Sequence, residues 1–259
     1  MDLGFSTPLV DFFRRREVAR DVRLLAAKGA LAPRAHEQLT LLTLLVDDPD
    51  EEIKSTAEAT LSAIPVGSIA AFLARADASA ELRAFFAARG IEPAAVADGT
   101  ADEPLIDTGG GEAPADESAD VNEEQRASIA QQLAQMSVPQ RVERALKGRR
   151  EERSILIRDQ NKLVAMSVLS SPRITEIEIE SIARMANVSD EILRVIASTR
   201  AWVKNYRVAL ALARNPKTPV ALSMNLLPRL SERDLKLIST DRNVPDVIRL
   251  TARKKVVIG

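Results

Sequence analysis

Ser189-Asp190-Glu191-Ile192-Leu193-Arg194-Val195-Ile196-Ala197-Ser198-Thr199-Arg200 returns 42 residues later as Ser231-Glu232-Arg233-Asp234-Leu235-Lys236-Leu237-Ile238-Ser239-Thr240-Asp241-Arg242. In both copies a serine stands before two charged residues, the place of a helix N-cap, and aliphatic residues then recur at three- and four-residue spacing. Self-similarity at such a period marks stacked helical units that cannot bury an apolar face alone. Working outward, the match runs on from Tyr206-Arg207-Val208 to Ile248-Arg249-Leu250, and Ser170-Ser171-Pro172 aligns with Arg214-Asn215-Pro216 at an offset of 44. One unit earlier, Lys162-Leu163-Val164-Ala165-Met166 occupies the place of Tyr206-Arg207-Val208-Ala209-Leu210. Two full units and a partial one are expected.

The punctuation around these units agrees with helices. Thr175 and Glu178 form a capping box, Thr218-Pro219 supplies a cap and first turn, and Asn215-Pro216 and Val244-Pro245 mark breaks. Trp202 to Arg214 reads as part of one helix beginning near Ala201. Toward the N-terminus, Ser6 or Thr7 caps a helix with Pro8 at its first position, expected to run to about Lys28 and stop at Gly29. Pro33 opens the next, which carries His36 and a run of leucines. Shorter helices are expected at about 67–75 and, capped by Ser79, at about 80–89. In Asp48-Pro49-Asp50-Glu51-Glu52-Ile53-Lys54 the aspartate is the expected cap, Pro49 the first helical residue, and the acids favour the positive helix start.

Composition supports an all-α chain: 46% of the 259 residues are apolar but only 3% aromatic, the apolar share being mostly Ala, Leu, Val and Ile. With no Cys and one His, disulfide scaffolds, thiolate metal sites, Cys nucleophiles and His-based triads are excluded. Gly109-Gly110-Gly111 lacks the Lys-Ser or Lys-Thr of a phosphate-cradling loop. No catalytic residue, metal or cofactor is therefore expected. Met1 to Phe5 lacks the pattern of a secretory leader, and no apolar run approaches the roughly 18 residues of a membrane span. A cytoplasmic protein without a transmembrane segment is the expectation.

Charge divides the chain where the total conceals it. Residues 1–90 hold 11 basic and 13 acidic side chains, residues 91–124 hold none and 11, and residues 125–259 hold 25 and 13. The middle stretch also carries three prolines and the glycine run with no helical or strand period, so it reads as an acidic disordered linker. The expected organisation is an N-terminal helical module at 1–90, the linker at 91–124 and a basic helical module at 125–259.

The segment from Asp48 to Leu61 resembles the second helix of a HEAT repeat, with its Asp-Pro turn, acidic residues, aliphatic-basic pair Ile53-Lys54 and later small residues. Asn215-Pro216-x-Thr218-Pro219 is also similar to the leucine-rich-repeat variant. The resemblance implies two HEAT-like α-solenoid modules, a fold whose members mostly bind other macromolecules along a curved face, with a minority acting as DNA glycosylases or phycobilin lyases.

The candidate binding residues follow from charge and aromatic placement. Trp202 and Tyr206 are expected on one stripe of a helix and Arg200, Lys204, Arg207 and Arg214 on another, with Lys217 beyond. Arg149, Arg150 and Arg153 form a second basic cluster and Arg253-Lys254-Lys255 a third. Two readings of these cations stay open. They bind a partner, or, as in HEAT-like stacks, residues such as Lys54, Arg207 and Arg249 form a ladder with Asp190, Asp234, Asp241 and Asp246; Trp202 and Tyr206 equally suit an inter-helix core. A surplus of twelve cations over residues 125–259 exceeds what internal pairs absorb. The expected function is a non-catalytic adaptor for a protein partner. The alternative is salt-sensitive, sequence-nonspecific binding of nucleic acid or another polyanion, with the acidic linker competing. Oligomeric state is open.

Overall fold

Thr7 starts the first helix as its N-cap, accepting the Val10 N–H, with Pro8 at the first helical position. The computed structural model describes residues 7–32, 34–95, 105 and 123–258. Before the acidic stretch lie α1 (Pro8–Arg14), α2 (Arg20–Ala27), α3 (Ala35–Leu45), α4 (Glu51–Ala63), α5 (Val66–Leu73) and α6 (Ala80–Ala87). After it come α7 (Glu123–Gln135), α8 (Val138–Lys147), α9 (Arg150–Leu156) and α10 (Lys162–Leu169). The chain continues through α11 (Glu176–Arg184), α12 (Asp190–Ser198), α13 (Arg200–Val203), α14 (Tyr206–Arg214), α15 (Val220–Leu226), α16 (Glu232–Thr240) and α17 (Asp246–Ile258). The described residues hold no strand, and none of their helices is singly long and apolar enough to cross a membrane.

The caps of α6, α12 and α16 are Ser79, Ser189 and Ser231, and the Thr175–Glu178 box opens α11. Four expectations need correction. The single helix from Thr7 to Lys28 is two, because Arg16 takes a left-handed conformation (φ 58°) and turns the chain between α1 and α2. The cap of α4 is Asp50 rather than Asp48, its side chain accepting the Glu52 and Ile53 N–H groups. Pro219 sits at the N-cap of α15 instead of inside its first turn. The helix expected from Ala201 to Arg214 breaks at Asn205, whose side chain accepts the Arg207 N–H at 2.9 Å and caps α14 afresh.

The chain divides into two compact units, Met1–Arg173 and Ile174–Gly259. In the first, α1 packs on α3 and α10, and α2 packs on α3, α4 and α8, so helices on both sides of the acidic stretch share one core. Charge and packing thus divide the chain at different places. All six phenylalanines fall in this unit, and Phe13, Phe72 and Phe86 are buried. Gly148, between α8 and α9, is a position of close approach: a Cβ there would lie 2.3 Å from the Arg144 carbonyl oxygen. Most of the acidic stretch, 96–104 and 106–122, lies outside the described residues, and with it the expectation of a disordered linker. Within the stretch, the Ala94 N–H donates to Ala70 O (2.9 Å), and the Leu105 N–H donates to the buried Gln38 Oε1 (2.8 Å).

In the second unit α14 packs between α11 and α15, and α16 and α17 form its most extensive helix pair. Helix starts recur at Asp190 and Glu232 for α12 and α16, and at Lys162 and Tyr206 for α10 and α14, as the internal match predicts, whereas α17 starts at Asp246, two residues before the place the match gives. Burial fixes its register. Ile248 and Ala252 are buried in α17 and, among others, Val208 and Leu212 in α14, while Tyr206 is exposed, so matching these pairs sets α14 on α17 at an offset of 40, two residues from the sequence alignment.

Candidate macromolecular interface

Basic side chains in this molecule divide by whether the fold uses them. One use recurs three times. Asp48, Asp159 and Asp241 each accept with Oδ1 the amide N–H two residues on, that of Asp50, Asn161 and Asn243, at 2.9, 2.8 and 3.1 Å. An arginine from an earlier helix then pairs with the same carboxylate: Arg23 at 2.5 Å, Arg141 at 2.5 Å and Arg214 at 2.9 Å. The clamp fixes the turn following a helix to a neighbouring helix. Arg214 holds Asp241 below the usual carboxylate range, with the Asn243 N–H adding to the effect.

A second tie rests on buried polar side chains after α10 and α14. The Ser171 hydroxyl donates to Leu146 O (2.7 Å). Its counterpart Asn215 donates through Nδ2 to Ala183 O and Met185 O (2.8 and 2.9 Å) and accepts the Lys217 N–H at Oδ1. Both satisfy backbone carbonyls at the end of a preceding helix, which would otherwise be left unpaired in the interior.

The sequence candidates separate on this basis. Arg153 must be withdrawn: it is 2% exposed, and its guanidinium donates to Gly148 O (2.9 Å) and Arg173 O (3.4 Å). Arg149 and Arg150 are exposed at the start of α9, in the first unit, where the Arg149 N–H donates to Glu152. The remaining candidates lie in the second unit on α13, α14 and the turn after it. Trp202 is half-buried, and because α13 and α14 are separate helices it does not share a stripe with Tyr206. Tyr206 is 41% exposed, yet its hydroxyl donates to the Asp234 carboxylate and accepts the Ser231 N–H at 3.0 Å. That hydroxyl, together with Ser231, lowers the Asp234 pKa.

Arg200, Lys204 and Arg207 are exposed, and no carboxylate among the described residues pairs with any of them. Lys217 donates to Val188 O at 3.2 Å. Of the expected ladder cations, Arg207 makes no carboxylate pair among the described residues and Arg249 pairs with Asp246 inside its own helix; the expected partner Asp241 is taken instead by Arg214 of an earlier helix.

Sequence reasoning missed exposed apolar residues of the second unit. Leu237, Val247 and Leu250 are 50%, 52% and 56% exposed on α16 and α17. A signal was present: Leu235-Lys236-Leu237-Ile238 and Val247-Ile248-Arg249-Leu250 each carry more aliphatic residues than one helix face can bury.

Reactive chemistry finds little to work with among the described residues. No three His, Asp or Glu side chains are grouped to hold a metal ion. A cleft of about 540 Å³ lined by α7, α8, α9 and the turn after α9 contains Arg141, Asp159 and Arg158, of which the first two pair with each other. His36 is buried, edge-on to Phe72 with ring centroids 5.4 Å apart, and its burial lowers the imidazole pKa to about 4 against the opposing effect of Asp77. No known family model matches the chain, and no curated protein or solved structure matches it either.

Proposed function

We propose that this chain is a non-catalytic helical-repeat scaffold of the HEAT-like, α-solenoid kind, and that its second unit binds an acidic macromolecular partner. One observation carries the reading. Residues 174–259 contain 15 basic and 9 acidic side chains, and ion pairs there engage Arg184, Arg194, Arg214, Lys236 and Arg249. Arg200, Lys204, Arg207, Arg253, Lys254 and Lys255 have no carboxylate partner among the described residues, and such a surplus draws anionic partners. Arg200, Lys204 and Arg207 are the members nearest Tyr206 in the chain.

A protein partner suits this surface better than a nucleic acid. Stacking of successive bases needs several free aromatic faces, whereas this unit has two aromatic side chains, Tyr206, held in place through its hydroxyl, and the half-buried Trp202. The test titrates the full chain with a labelled glutamate-rich peptide and, separately, a labelled DNA duplex, at about 50 and about 300 mM salt. The peptide should bind at low salt and weaken as salt rises. Charge reversal at Arg200, Lys204 and Arg207 together should weaken it further with the melting temperature unchanged. No binding at low salt overturns the proposal, and tighter binding of the duplex transfers it to nucleic acid.

A further inference from the structure

We infer that the outward side of the α16–α17 pair is a docking face for an acidic amphipathic helix of a partner protein. The inference rests on the reading of the second unit as a binder of acidic partners, and adds the place and the kind of partner.

Helix geometry puts the relevant side chains outward. On α16 the core is made by Leu235 and Ile238, and on α17 by Ile248 and Ala252, all buried. Successive residues of a helix turn by about 100°, so Leu237 points away from the Leu235–Ile238 side and Leu250 lies opposite the Ile248–Ala252 side. Val247, Leu250 and Lys254 fall at i, i+3 and i+7, one stripe of α17, while Arg233 precedes Leu237 by one turn of α16. Three half-exposed aliphatic residues are thus interleaved with cations on neighbouring helices. In α14 the counterpart of Leu250, by the burial register, is Leu210, which its surroundings half-cover. The position is half-buried in α14 and exposed in α17.

The charge of the face is one-sided. Each carboxylate of the pair is already held: Glu232 by Lys236, Asp234 by Tyr206 and Ser231, Asp241 by Arg214 and Asp246 by Arg249. Arg253, Lys254 and Lys255 are exposed, with no carboxylate partner among the described residues, and Arg233, also exposed, acts on Asp234 without a close ion pair.

These features select among occupants. A phosphate backbone answers the cations but offers no aliphatic surface to cover Leu237, Val247 and Leu250. A second copy meeting through the same face would set like charges against each other. In-plane membrane helices carry larger apolar faces, commonly with Trp or Phe, and neither α16 nor α17 contains an aromatic residue. A helix with an apolar seam at i, i+3 and i+4 flanked by Glu or Asp satisfies both requirements.

The experiment uses the full chain and two labelled peptides of identical Leu and Glu composition, one ordered as an amphipathic helix and one scrambled. The ordered peptide should bind about tenfold more tightly. The double variant Val247→Gln, Leu250→Gln should abolish that preference while keeping the melting temperature and the charge-driven binding of the scrambled peptide. Equal binding of the two peptides by the unsubstituted chain, or a preference that survives the double variant, overturns this inference and leaves the broader reading standing. Failure of both peptides at low salt removes the broader reading as well. Tighter binding of a DNA duplex or of phosphatidylserine vesicles than of the ordered peptide also overturns it.

Discussion

The arginine–aspartate clamp is made twice in the first unit and once in the second, and its surroundings differ. Asp48 and Asp159 are 6% and 7% exposed, beneath Arg23 and Arg141, whereas Asp241 is 17% exposed and Arg214 about half-exposed at 48%. The first unit places the carboxylates of its two clamps, its one histidine and Phe13, Phe72 and Phe86 under cover. The second repeats the same local devices around a core of aliphatic residues and leaves cations and leucines facing water. The same helix chemistry therefore serves two ends: in one unit it closes a core, in the other it holds a surface open.

Leucine substitutions give the largest contrast. Leu146→Ala, in the closed unit, removes a side chain with no exposed surface and should cost about 2–5 kcal/mol in urea unfolding. Leu250→Ala should change stability by less than about 0.5 kcal/mol. Comparable losses at both positions would erase the distinction between the units.

Asn215→Ala comes next. It leaves the Ala183 and Met185 carbonyls without their side-chain donor, and should destabilise by about 1–3 kcal/mol, measured in the same way. A neutral result would mean that water replaces the amide.

Proton linkage at His36 sharpens the comparison from the other side. Its folded pKa of about 4 lies below the ordinary 6.5, so the unfolded chain takes up the proton first. Its contribution is whole above pH 6.5 and is lost as pH falls toward 4, by about 1.4 kcal/mol per pH unit at full slope. Unfolding at several pH values should show this loss in the unsubstituted chain and a flatter profile in His36→Leu.

The smallest effect belongs to the open clamp. Arg214→Ala should cost about 0.2–1 kcal/mol. Asp241 has a lowered folded pKa, so the stability it gains from Arg214 is present above its unfolded pKa and fades as pH falls through the folded one. The difference between the unsubstituted chain and Arg214→Ala should therefore shrink in acid.

Local signals in the chain carried much of the architecture. Ser189 and Ser231 cap helices, Thr175 and Glu178 form their box, and the internal match predicted recurring helix starts because short-range chemistry decides each of these. The break at Arg16 left no trace, since arginine is a good helix former and the left-handed turn falls on exposed Arg16 with no glycine to mark it. The break at Asn205 was legible in principle, asparagine being a strong N-cap. Arg153 was misplaced because charge was read before position. It stands three and four residues before the buried Leu156 and Ile157, on the inward stripe of α9. The exposed Leu237, Val247 and Leu250 were hidden for the opposite reason: aliphatic residues at helical spacing read as core, and only packing shows which side is covered. With no matching family, curated protein or solved structure, the HEAT-like resemblance stays with the proposal, and the fold rests on helices and their contacts.

The most direct test of the central claim compares two labelled peptides that differ only in Glu or Gln at their polar positions, each titrated against the full chain at about 50 mM salt. The account predicts saturable binding of the Glu peptide, its loss on charge reversal at Arg200, Lys204 and Arg207, and little binding of the Gln peptide. Equal affinity for the two peptides, or no binding of either, would contradict it.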